Sequence, residues 1–208
     1  MDLRNKFKGL LWVWILIPIC IVAFIIITRK AVIPSNEDIV KYLQTTKEYS
    51  SDVEYTFINS KGEYKENTIQ YYNKDDGMRV EFKDEDGRVK IYTGSDILMI
   101  KKEGQDYTID KNIDEIYPLA FIENILCRED YICSHLEVIK PEWSDNEYIK
   151  MTIDYPKGNR HIDKGEFYID KKNKCPVLLR IFDDNDKERI IISYKNFKTD
   201  KHSDEKIF

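Results

Sequence analysis

Met78-Arg79-Val80-Glu81-Phe82-Lys83-Asp84-Glu85-Asp86-Gly87-Arg88-Val89-Lys90-Ile91 reads as a β-hairpin. Met78, Val80 and Phe82 alternate with polar residues, as a strand with one buried face requires. Asp84 to Gly87 supplies turn chemistry, and Val89 and Ile91 resume the alternation on the return. Upstream, Val53, Tyr55 and Phe57 alternate, Ser60-Lys61-Gly62 turns the chain, and Tyr64 to Tyr72 returns as the partner. Downstream, Gly94-Ser95-Asp96 and Glu103-Gly104 separate strands at Ile97–Lys101 and around Tyr107 and Ile109. Connections this short join antiparallel neighbours, because a parallel pair needs a crossover of about a dozen residues or more. The pattern predicts a long meander.

Two segments depart from strand period. Pro34 and Ser35 open a short helix that carries Ile39, Val40 and Leu43 on one face and runs to about Thr46, with Ser35 as N-cap and Asp38 three residues on. Asp114 to Leu126 places Ile116, Leu119, Ala120, Ile122, Ile125 and Leu126 mostly at helical spacing, which predicts a helix covering the core face of the sheet. Strands then resume at Leu136–Lys140, Tyr148–Tyr155, Gly165–Asp170, Val177–Asp183 and Arg189–Phe197. The expectation is an α+β, mainly antiparallel β domain of about eleven strands and two helices.

Ahead of this domain, an unbroken apolar run from Leu10 to Ile27 follows Arg4, Lys6 and Lys8 and precedes Arg29 and Lys30. A helix of that length is about 27 Å long, close to the hydrocarbon thickness of a bilayer. A cleaved secretory signal shares the basic start, but the run is long for one and no small-x-small site stands at its exit. Lipidation at Cys20 would need small residues before it, where Leu16, Ile17, Pro18 and Ile19 stand. The reading is a single transmembrane helix: residues 1–30 a cytoplasmic N-terminus and membrane anchor, residues 31–208 an extracytoplasmic domain. The basic bias before the span favours that orientation weakly.

Residues 31–208 hold 28 basic and 37 acidic residues, once the five Lys/Arg and one Asp of residues 1–30 are removed, a formal charge of −9. Such a domain repels nucleic acid and anionic lipid. His135, His161 and His202 match no zinc spacing. Cys127, Cys133 and His135 offer only three ligands at an uncommon spacing, so no metal or cofactor is expected. The carboxylate clusters Asp75-Asp76, Asp84-Glu85-Asp86 and Asp183-Asp184 fall in turns, where their side chains stabilise the turn itself. No nucleophile elbow, phosphate loop or zinc-protease motif occurs, and no catalytic residue is assigned. A Cys127–Cys133 disulfide is chemically allowed, and free, partly buried thiols are the equal alternative. The 14 Tyr and nine Phe fit half-buried strand positions. Adjacent Tyr71 and Tyr72 must point to opposite faces, so they are the candidate interface pair.

The order of an N-terminal helix, a meander, a midway apolar helix and a second set of strands is similar to the LolA/LolB-like fold, an incompletely closed barrel with helices across its open side. Ile39-Val40-Lys41-Tyr42-Leu43, Gln70 to Phe82, Arg88-Val89-Lys90-Ile91-Tyr92-Thr93-Gly94 and Ile192-Ser193-Tyr194-Lys195-Asn196-Phe197 resemble the GerS-type germination lipoproteins of anaerobic spore-formers. The resemblance spans about residues 35–208 and rests on strand-and-turn patterns. It implies a non-enzymatic partner of a CwlD-type N-acetylmuramoyl-L-alanine amidase, supporting muramic lactam formation and cortex hydrolysis on germination, at the forespore membrane. It assigns no interface residue. The family's lipidated cysteine is not reproduced by the surroundings of Cys20, and a spanning helix would take its place. A lipid or lipoprotein carrier of the LolA kind is the alternative, and exposed strand edges also allow a homodimer by strand exchange.

Overall fold

The computed structural model describes residues 17–25, 34–128, 132–156, 158–199 and 208. The chain divides into two compact units, Met1–Ser35 and Asn36–Phe208. In the first, residues 17–25 are helical and exposed (α1). Leu10 and Ile27, the ends of the expected anchor, lie outside the described residues. Among the described residues no helix is long and apolar enough to cross a membrane.

The second unit begins with α2 (Asn36–Gln44), whose Ile39, Val40 and Leu43 are buried. Eleven strands follow: β1 (Glu48–Asn59), β2 (Gly62–Asn73), β3 (Gly77–Phe82), β4 (Val89–Thr93), β5 (Asp96–Ile100), β6 (Tyr107–Asp110), β7 (Ile132–Ile139), β8 (Tyr148–Asp154), β9 (Lys164–Asp170), β10 (Cys175–Phe182) and β11 (Glu188–Lys198). They form one antiparallel sheet in the order β6-β5-β4-β3-β2-β1-β11-β10-β9-β8-β7. Two meanders, β1–β6 and β7–β11, are therefore sewn together through the β1–β11 pair, and the sheet is open, with β6 and β7 at its edges.

Register decides the faces. Tyr49 pairs with Tyr72, Val53 with Tyr194 and Tyr55 with Ile192, so these side chains share the core face with Val80, Phe167, Ile169 and Leu179. Asn196, at φ 53°, sits where the β1–β11 register slips between Ser50 and Asp52. Such a bulge adds residues to one strand and re-aims its side chains. Phe197 packs with its ring centroid 5.3 Å from that of Tyr49. Gly77 takes φ 110° in the β2–β3 turn, and a Cβ there would lie 2.6 Å from the Tyr92 carbonyl oxygen, so only glycine fits.

The expected helix over Asp114–Leu126 is instead two short pieces, preceded by a third. Lys111–Ile113 and Tyr117–Ala120 are 3-10 turns, and α3 is confined to Ile122–Leu126. Pro118 stands at the start of the second turn and Phe121 is extended (φ −78°, ψ 131°), which interrupts the α-helical ladder. The apolar spacing still reports burial: Leu119, Ala120, Phe121, Ile122, Ile125 and Leu126 all lie in the core.

Candidate interaction surface

The connection between the two meanders, residues 111–128, forms a strap across the core face. Its polar backbone would be costly to bury unless hydrogen-bonded. Tyrosine hydroxyls from the sheet meet that need. Tyr55 donates to the Tyr117 carbonyl oxygen at 3.1 Å, Tyr194 donates to that of Ala120 at 2.7 Å, and Tyr49 accepts from the Ile122 amide at 2.9 Å. Burial pushes all three phenols far up their titration range. Ala120 and Phe121 are fully enclosed between the strap and the sheet.

A polar latch fixes the start of the strap. Asp114 Oδ2 accepts from Lys90 Nζ at 2.5 Å and from the Tyr92 hydroxyl at 2.7 Å, with the two ion-pair side chains only 13% and 7% exposed. Burial, then Asp114, pushes the Tyr92 phenol up. Lys90 Nζ lies 4.1 Å over the Tyr117 ring, a favourable cation–π arrangement, and the Tyr117 hydroxyl donates to Glu66. Arg88 bridges Asp84 at 2.6 Å and approaches Glu66 at 3.8 Å. Each of these carboxylates is engaged in an ion pair or hydrogen bond that holds local structure.

The turn carboxylates also act locally. Asp84 accepts from the Gly87 amide at 2.9 Å. Asp183 accepts from the amides of Asn185 and Lys187, both at 2.9 Å, and from Arg189. Backbone N–H groups and the guanidinium hold the Asp183 carboxyl below its ordinary value. Among the described residues no group of three His, Cys, Asp or Glu is placed to hold a metal ion.

The sequence-predicted site residues separate. Tyr72 is buried on the core face, its ring 5.2 Å from that of Tyr49, and burial with nearby Glu123 pushes its phenol up. Tyr71 is half-buried on the outer face, in register with Ser50 and Arg79. Cys127 is exposed at the end of α3, its Sγ 3.7 Å from the Gln44 carbonyl oxygen. The side chain of Cys133 lies outside the described residues.

Other surface groups escaped the sequence reading. Trp143, 53% exposed in the β7–β8 connection, packs 4.8 Å from the Tyr148 ring and 6.1 Å from that of Tyr168. Beside it, Lys150 bridges Glu137 and Glu166, and Arg180 bridges Glu166 and Glu188, a charged ladder across the outer face. Leu136 and Val138 on edge strand β7 are about two-fifths exposed. An aromatic residue in a polar turn, Pro141-Glu142-Trp143-Ser144, was the available signal.

Comparison with solved structures places the fold. An uncharacterised conserved protein of Thermus thermophilus is 14% identical, with a TM-score of 0.50 over 79% of this chain and 87% of that one. A LolA superfamily protein of Nitrosomonas europaea is similar at 10% identity and TM-score 0.43, over 79% and 93%. A chain in the structure of the CwlD amidase from Clostridioides difficile in complex with the GerS lipoprotein is similar at 21% identity and TM-score 0.46, over 79% and 96%. No curated relative matches. The family model described as sporulation protein YdcC-like matches residues 7–208, nearly the whole chain, and the protein belongs to that sporulation family.

Proposed function

We propose that this protein is a non-enzymatic sporulation factor that binds a CwlD-type cortex amidase and positions or activates it, with the apolar run Leu10–Ile27 holding the domain at the forespore membrane. Membership of a sporulation family supports the setting. The observation that supports the binding role is the strap: with Ala120 and Phe121 fully enclosed between it and the sheet, the outer face and the two sheet edges are the broad surfaces open to a protein partner. The ion-paired and turn-bound carboxylates favour a scaffold over a cell-wall hydrolase. The extracytoplasmic placement of residues 31–208 and a Cys127–Cys133 disulfide belong to the same proposal, since that compartment permits disulfides.

The test is capture on the full-length chain from detergent-solubilised sporulating cells, with bound proteins identified by mass spectrometry, alongside muramic lactam analysis of spores lacking the gene. Recovery of an amidase together with loss of muramic lactam supports the reading. Unchanged muramic lactam and normal germination overturn it. Co-purified lipid without an amidase would instead require the strap to leave the core face and would favour a carrier.

A further inference from the structure

A cleft of about 380 Å³ lies between the strap and the β8–β9 connection, away from Tyr71 and Trp143. Its size suits a small ligand, within the roughly 300–1,000 Å³ of ordinary ligand pockets. The walls are already organised. Asn159 on the β8–β9 side donates to Glu115 on the strap at 3.0 Å, its own Oδ1 accepts from the His161 amide at 3.0 Å, and the Ile162 amide closes the loop onto the Asn159 carbonyl oxygen at 3.0 Å. Tyr155 is fixed against β9, where a Cβ on Gly165 would come within 3.0 Å of its ring. Little ordering remains to oppose binding.

The lining chemistry selects a ligand class. Lys111 and Arg128 line the cleft together with Asp114 and Glu115, so the lining carries two charges of each sign and favours neither an anion nor a cation. Asp114 is already engaged by Lys90, Tyr92 and the Tyr117 amide. Side-chain amides remain. Asn124 Nδ2 donates to the Pro118 carbonyl oxygen at 2.7 Å, which leaves its Oδ1 as an acceptor, and the Asn112 amide offers both a donor and an acceptor. Beneath them Leu119, Tyr155 and Ile162 form a buried apolar floor.

We propose that this cleft is a binding site for an N-acetylated sugar of a glycan strand. The acetamido N–H and C=O match the Asn112 and Asn124 amides, the acetyl methyl and the C–H face of the ring match the apolar floor, and ring hydroxyls donate to Glu115. A peptide presents amides without the ring hydroxyls, so a peptide mimic is the comparison ligand. The site is separate from the amidase-binding reading and stands on its own residues.

The test is calorimetric titration of the full chain with di-N-acetylchitobiose, with cellobiose, which has the same rings without acetamido groups, and with N-acetyl-L-alanine amide as a peptide mimic. The expected result is saturable binding of di-N-acetylchitobiose, at least about tenfold weaker with cellobiose or in Asn112→Ala, corresponding to about 1.4 kcal/mol. Glu115→Gln, which keeps an acceptor for Asn159, weakens binding less than Asn112→Ala, and neither variant changes the unfolding midpoint or amidase capture. No saturation, equal affinity for cellobiose, tighter binding of the peptide mimic, or an unchanged affinity in Asn112→Ala overturns the proposal.

Discussion

The hydroxyl of Tyr194 on β11 donates to the carbonyl oxygen of Ala120 in the strap at 2.7 Å, across 74 residues of chain. Both residues are buried, Ala120 completely. The bond joins the seam between the two meanders to the segment that connects them. Tyr194→Phe keeps the ring and leaves that carbonyl without its donor in a dry site, at a cost of about 1–2 kcal/mol. Urea unfolding of the full chain should show a lower midpoint with an unchanged slope. An unchanged midpoint would mean that the strap is not held by this bond.

Lys90→Met should be more damaging than its partial exposure suggests. It removes the ammonium paired with Asp114 and leaves a nearly buried carboxylate with only hydrogen-bond donors. Breaking a buried pair in this way costs about 3–5 kcal/mol. Adding Asp114→Asn removes the stranded charge, so the double variant should be more stable than Lys90→Met alone. Equal stabilities would show that charge burial is not what the latch balances.

Asp183 predicts a specific acid response. Its folded carboxyl lies below the ordinary value of 3.8, chiefly through the Lys187 amide. The unfolded chain therefore binds the proton first, and the stabilisation is complete well above the ordinary value and lost as pH falls through it to the lower folded value. Asp183→Asn should flatten the decline of the unfolding midpoint between about pH 5 and pH 2. An acid limb identical to that of the unmodified chain would reject this assignment.

Tyr71→Ala should separate binding from folding. The ring is half-buried on the outer face, whereas Tyr72 belongs to the core. If Tyr71 anchors the amidase, its removal should weaken capture by about tenfold or more, as for a typical interface aromatic, with little change in the unfolding midpoint. Trp143→Ala is the companion variant. Retained capture in Tyr71→Ala with loss in Trp143→Ala would move the contact to the Trp143 end of the outer face.

The sequence by itself determined the roughly eleven strands, their antiparallel meanders and the buried face of the most regular of them. Alternation and turn residues are local, so Met78, Val80 and Phe82 declare their face without reference to the rest of the chain. It also carried the family resemblance through its strand-and-turn segments, and it marked Asp114–Leu126 as apolar. Only the tertiary structure decided that this segment is a broken strap, because Pro118, the extended Phe121 and hydroxyls from Tyr49, Tyr55 and Tyr194 act together on its backbone. Only the structure paired β1 with β11, a contact between strands far apart in the chain, and so brought the strap over the seam. The cleft between the strap and the β8–β9 connection has the same origin: Asn112, Glu115 and Asn124 meet Asn159 only when the sheet has closed the intervening chain. Patterns of period two and 3.6 report burial, whereas which distant backbone groups a hydroxyl or an amide will reach depends on the assembled fold.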